Sequence, residues 1–211
     1  SGPFTTSTLQ QTASSRMGFG ASRTMQIAQK LYQGIEIEGE TIGLITYMRT
    51  DGTNLSKDAI SAFRDYIKKE IGNEYLPETA LNYSGKKAKN AQEAHEAIRP
   101  TDIIRTPQSV KKYLSPDQNK LYDLIWSRSL SSQMESAKFD RNTITITSDN
   151  NDTTCKASGS VLKFDGFLKI YKNIHKDDDE NILPSMSKGL VNIEALLDEQ
   201  HFTQPPPRYS E

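Results

Sequence analysis

The sequence predicts an α+β fold: a mainly helical, winged-helix-like lobe over residues 3–136, then part of an antiparallel β-rich domain over 137–211. Three observations carry this. Helix-start signals recur from Ser7 through Ser22, Ser56 and Thr106 to Ser115. A short alternating stretch, Ile35 to Ile42 with Gly39 at its turn, reads as a hairpin between helices. From Lys138 the texture changes to alternating β-branched residues.

Ser7 or a neighbouring threonine caps a first helix to about Arg16, with Leu9, Ala13 and Met17 at helical spacing. Gly18 and Gly20 bracket Phe19 as a turn. Ser22 caps a second helix to about Gln33, with Met25, Ala28, Leu31 and Tyr32 inward and Arg23, Gln26 and Lys30 outward. Helix, turn, helix and hairpin together make the winged-helix-like arrangement. Its wing carries glutamates, which do not invite DNA. Ser56 then caps a helix with Ala59, Ile60, Phe63, Ile67 and Ile71 as its apolar stripe, stopped by Gly72. Residues 73–90 are irregular, with Lys86, Lys87 and Lys89 either phosphate-contacting or merely solubilising. Gln92 to Arg99 makes two helical turns before Pro100, which puts His95 and Arg99 on one face.

Thr106-Pro107 opens a short helix to Leu114. Ser115-Pro116-Asp117-Gln118 opens a long one to about Gln133, on which Trp126 packs against the body of the lobe. The β-rich part has strands at Arg141–Thr147 and Thr153–Gly159, a third element at Val161–Tyr171 and a fourth strand at Leu190–Leu196. Pro205-Pro206-Pro207 is stiff and extended, as in a connection leaving a domain.

Composition excludes several classes. Across 211 residues the net charge is −1, so any nucleic-acid contact rests on local basic placement, not bulk attraction. One cysteine, Cys155, rules out a disulfide framework and a cysteine-built zinc site; it reads as a small buried strand residue. No apolar run approaches membrane-spanning length. The acidic run Asp177–Glu180 lies in a polar loop and reads as solvated, so no metal ligands are assigned. An opening Ser1-Gly2 in place of methionine and an abrupt end suggest a piece of a longer protein.

The chemistry-bearing stretch is Ile42 to Gly52. Read as an extended segment, it turns Ile42, Leu44, Thr46 and Met48 to one side and Tyr47, Arg49 and Asp51 to the other. A phenol can attack phosphorus, and as an aryl phosphoester it can also leave, which suits a reversible reaction. A guanidinium beside it grips phosphate oxygens. The same spacing also fits a tyrosine ending a half-buried strand beside an Arg–Asp surface pair.

Three motifs decide between these readings. Leu44–Asp51 resembles the active-site tyrosine segment of the bacterial type IA DNA topoisomerases. Pro3–Gln11 resembles the start of that family's tyrosine-bearing domain, and Gln92–Pro100 its histidine motif. The resemblance implies an isomerase in which Tyr47 is the nucleophile, with Arg49 and His95 also catalytic. It implies that Arg49, Asp51, His95 and Arg99 contact DNA; a pairing of His95 with Asp51 that orients the site is a separate expectation from the residues themselves. It further implies a soluble cytoplasmic monomer at the bacterial nucleoid that relaxes negatively supercoiled DNA through a single-stranded break, without ATP. Magnesium would bind an acidic Toprim domain outside this chain, so the fragment alone is expected to be inactive. Gly52 stands where many members carry serine. A winged-helix module that only binds DNA is the alternative.

Overall fold

The computed structural model describes residues 1–83, 96–148, 153–171, 188–190 and 202–203. Helix α1 (Thr6–Met17) starts at a capping box in which Thr5 Oγ1 accepts from Thr8 N–H and Thr8 Oγ1 accepts from Thr5 N–H. It ends at Gly18, in the left-handed region at φ 65°. Helix α2 (Ala21–Gln33) has Gly20 at its N-cap, with no side-chain cap, so Ser22 lies inside the first turn and does not cap it. Thr24, Ile27, Ala28 and Leu31 form its buried face. Tyr32, expected inward, is 41% exposed: those four residues already fill the inner face, and Tyr32 lies about 100° around from Leu31.

The hairpin is as expected. Strands β1 (Ile35–Ile37) and β2 (Glu40–Ile42) pair antiparallel, Ile35 opposite Ile42 and Ile37 opposite Glu40. Glu38 and Gly39, at φ 54° and 88°, make the two-residue connection that matches strand twist. Tyr113 donates its hydroxyl to Glu38 at 2.8 Å and so ties the tip to the body.

Helix α3 (Lys57–Tyr66) is capped by Ser56 and runs on as a π-helical turn, Ile67–Ile71, to Gly72. Helices α4 (Pro107–Val110) and α5 (Pro116–Ser131) both begin with proline at N1, behind Thr106 and Ser115 caps. Helix α5 supplies the middle of the core: Leu121, Tyr122, Ile125 and Leu130 meet Phe4, Leu9, Leu31, Phe63 and Ile98 within one buried cluster. Trp126 belongs to that packing, its indole donating to the Ile103 carbonyl at 3.0 Å and meeting Tyr66 edge-on.

Two expectations fail on backbone pairing. Glu96–Pro100 is extended, not helical: Ile98 bridges Phe4, Pro100 bridges Ile45 and Glu96 bridges Asn54. Its backbone groups find partners on three neighbouring segments, which outweighs the local helical pattern. Likewise, of the two readings of Val161–Tyr171, a third strand or a strand–helix junction, the first fails and the second holds: Val161–Phe164 continues the preceding strand into a 3-10 turn at Gly166–Lys169. Strand β3 (Lys138–Thr147) pairs with one long β4 (Thr154–Phe164), in which Gly159 and Ser160 lie opposite Asn142 and Arg141 without interruption, the one register shift falling between Lys138 and Phe139. Cys155, expected buried, is exposed, because no second layer covers this ribbon among the described residues. Lys86, Lys87, Lys89, Asp177–Glu180 and the strand expected beyond Leu190 lie outside the described residues.

After β4 the chain turns back onto the helical lobe. Tyr75 donates its hydroxyl to Asp165 at 2.8 Å, and Phe167 N–H donates to the Glu135 carbonyl at 2.9 Å. Gly166 makes the crossing, at φ 49°, where an added Cβ would come within 2.6 Å of the Glu135 oxygen. All three atoms it would meet are backbone of Glu135–Ala137, which cannot yield as a side-chain end could. Gly166→Ala is therefore expected to cost about 3 kcal/mol, a melting temperature roughly 6–12 °C lower by calorimetry. A melting point equal to the parent's would contradict this packing.

Candidate active site

Tyr47 rides on an irregular extended segment clamped from both sides. On one side Leu44 N–H donates to the Leu31 carbonyl at the end of α2, at 2.8 Å. Thr46 turns its N–H and its hydroxyl onto the Glu96–Pro100 segment: the N–H donates to Arg99 O, the hydroxyl donates to Ala97 O and accepts from Arg99 N–H, at 2.9, 2.8 and 3.0 Å. Thr101 closes the ladder through Leu44 O and Gly43 O. On the other side Thr6, in the first turn of α1, donates its hydroxyl to Met48 O and accepts from Thr50 N–H, both at 2.8 Å. The segment is thus held by backbone bonds on each flank of Tyr47.

From Thr46 onward the expected alternation is present: Met48 and Thr50 are buried while Tyr47, Arg49 and Asp51 are exposed. Before it the alternation breaks. Leu44 and Ile45, which follow the end of the hairpin, are both buried, and the chain bends at Thr46 and Met48.

Tyr47 is 48% exposed, and its ring meets Tyr32 edge-on at 5.4 Å. Among the described residues its phenol has no hydrogen-bond partner. Arg49 is exposed too, and no ion pair joins it to Asp51, so the Arg–Asp surface pair is not made. Instead Arg49 stands between two grooves. One, with Asp51, is walled by Thr6, Ser7 and Gln10 of α1; the other runs along α2 past Ser22, Gln26, Lys30 and Gln33. The outward face of α2, with Gln26 and Lys30, therefore borders the same cation.

Arg99 has a different setting. Its Nε and Nη2 donate to the two oxygens of Glu96 at 2.7 and 3.1 Å, its Nη1 donates to Pro100 O at 2.9 Å, and it is only 14% exposed. Glu96 also accepts from Ser56 N–H at 2.9 Å, which ties the Thr46 ladder to the start of α3. Burial would raise the Glu96 carboxyl, but the hydrogen bonds from Arg99 and Ser56 outweigh it and hold it below the usual range. A depressed carboxylate stabilises the fold above its unfolded pKa and ceases to as pH falls through the folded one. Glu96→Gln is accordingly expected to lower stability by about 1–2 kcal/mol at pH 7, with the gap to the parent closing below about pH 4. Urea melts at both pH values measure it, and an equal gap at both would refute the linkage.

His95, and with it the expected Asp51–His95 pairing, lies outside the described residues. Sequence reasoning passed over Thr6, Thr46, Glu96 and Tyr32. Thr6 and Glu96 lie inside the motifs already singled out, but Thr6 bonds Met48, 42 residues away, and Glu96 bonds Ser56, 40 residues away, and no local signal names those partners.

An exposed phenol, with an unpaired guanidinium two residues along that borders two grooves, suits attack on a phosphodiester. A family model described as DNA topoisomerase matches residues 1–211, the whole chain. The chain belongs to the DNA topoisomerase family. DNA topoisomerase 1 of Rickettsia prowazekii is 50% identical over 213 residues, covering 99% of this chain and 27% of the relative. That of Helicobacter pylori is 48% identical over 210 residues, covering 99% and 28%. A solved structure of full-length topoisomerase I from Thermotoga maritima matches with a TM-score of 0.71 at 41% identity, covering 81% of this chain and 27% of that one. The chain thus spans about a quarter of the length of these topoisomerases. Among the described residues of this topoisomerase chain no helix is long and apolar enough to cross a membrane.

Proposed function

We propose that this chain is the nucleophile-bearing part of a longer type IA topoisomerase that relaxes negatively supercoiled DNA. In this reading a single strand enters along the two grooves, and Arg49 holds the scissile phosphate through its planar fork. The Tyr47 phenol loses its proton, and its oxygen attacks phosphorus. The bond from phosphorus to the 3′ oxygen breaks, the sugar leaves as a 3′ hydroxyl carrying a proton, and Tyr47 is joined to the 5′ phosphate. Another strand passes, and the 3′ hydroxyl attacks the phosphotyrosine to reverse the exchange. One phosphoester replaces another, so no ATP is consumed. The unpaired Arg49 charge favours the negative charge that builds on the phosphorus oxygens as Tyr47 attacks. Arg99, by its contacts, would act on Tyr47 through Thr46, and His95 would contribute to cleavage and rejoining as the family resemblance implies.

Asp51 is the sole carboxylate on the Arg49 groove, and among the described residues no three metal-ligating side chains cluster. Magnesium would be held by residues outside this chain, and no step above runs through it. The enzyme would act as a monomer at the nucleoid in the cytoplasm.

The observation that carries the reading is the exposed Tyr47 beside an unpaired Arg49 in a chain of the topoisomerase family. Its test is adduct mapping. Full-length enzyme, magnesium and an end-labelled single-stranded oligonucleotide, quenched with detergent, should give a 5′-phosphotyrosyl peptide at Tyr47. The 211-residue chain alone should leave supercoiled plasmid untouched. An adduct on another residue, or relaxation by the isolated chain, would overturn the proposal.

A further inference from the structure

We infer that Tyr32 is a positioning residue for Tyr47, orienting the ring for attack; this rests on the reading of Tyr47 as nucleophile. Backbone bonds fix the Tyr47 main chain, but the phenol accepts and donates nothing among the described residues. Two side-chain rotations therefore remain to be restrained. The ring contact that restrains them is the edge of Tyr32, 5.4 Å away at an interplanar angle of 67°. Tyr32 is 41% exposed, so it contributes little to the core and much to the surface beside the nucleophile.

The geometry also keeps the two tyrosines from drifting apart. Tyr32 lies in the last turn of α2, where the next-door carbonyl of Leu31 accepts from Leu44 N–H at 2.8 Å. Gly43 presses against the Tyr32 carbonyl so closely that an added Cβ would stand 2.6 Å from its oxygen. The helix end and the Tyr47 ledge are therefore one rigid unit. The hairpin between them, Ile35 to Ile42, leaves and returns without entering the contact. Any movement of the lobe away from the rest of a longer enzyme carries both rings together. Tyr47 would thus meet the phosphate in one orientation in both the cleaving and the rejoining direction.

The test is done in the full-length enzyme at saturating oligonucleotide, by quenched-flow measurement of adduct formation and of rejoining. Tyr32→Ala and Tyr32→Leu should both slow cleavage and rejoining by about 10-fold, since the oriented ring contact is lost in each. The oligonucleotide Kd and the equilibrium fraction of adduct should not move. Tyr32→Phe keeps the ring edge and should run at the parental rate. A role confined to packing would lower the melting temperature of the alanine and leucine variants yet leave the rates of the folded enzyme intact. That result, or a phenylalanine variant as slow as alanine, would overturn the inference. Absence of any parental adduct at Tyr47 would instead sink the reading on which it rests, and the inference with it.

Discussion

Tyr47→Phe in the full-length enzyme is expected to leave no covalent DNA adduct and to lower relaxation by at least about 10⁴-fold. The substitution removes one oxygen and little else. The ledge is held by Thr6, Thr46 and Thr101 through backbone groups, none of which involves the phenol. The phenylalanine ring retains its edge contact with Tyr32. Folding and oligonucleotide affinity should therefore match the parent, so the loss is one of chemistry alone. Detergent-trapped adduct, plasmid relaxation and a thermal melt on the same preparation separate these outcomes. Residual adduct above background would mean that another group attacks the phosphorus. A module that merely binds DNA would show no adduct with either residue.

Arg49→Ala is expected to slow both cleavage and rejoining by about 10²–10³-fold at saturating DNA. The cation has no protein partner among the described residues, so its removal leaves no orphaned charge behind. Stability should stay within about 0.5 kcal/mol of the parent. What is lost is a donor fork that borders both grooves. Arg49→Lys should recover only part of the rate, because a point charge cannot grip two oxygens at once. Single-turnover rates in both directions decide the matter. An alanine variant with parental rates and weaker binding would assign Arg49 to affinity instead of catalysis.

Much of the helical lobe is written locally. Thr5 with Thr8, Ser56, Thr106 with Pro107, and Ser115 with Gln118 each cap a helix using residues within three positions. The Glu38-Gly39 turn sets the hairpin register in the same way. Where the reading failed, the competing partner was distant. Glu96–Pro100 carries a helical pattern but is drawn out because Phe4, Ile45 and Asn54 offer its backbone bridges. Ile45 is buried against its own alternation, and Tyr32 is turned out although its spacing matches the core. Cys155 is exposed because burial of a strand residue needs a second layer, which strand sequence does not record.

The chemical identity of the site follows from residue order alone, since a phenol, a guanidinium and a carboxylate at alternate positions share one face of any extended segment. What that face meets is a different kind of fact. That Arg49 stands free while Arg99 is locked onto Glu96, and that Tyr32 closes on Tyr47 across an intervening hairpin, are outcomes of packing among segments far apart in the chain. Such contacts form because buried backbone groups must find partners and the core must fill without voids, and those demands are met only when the whole lobe has assembled.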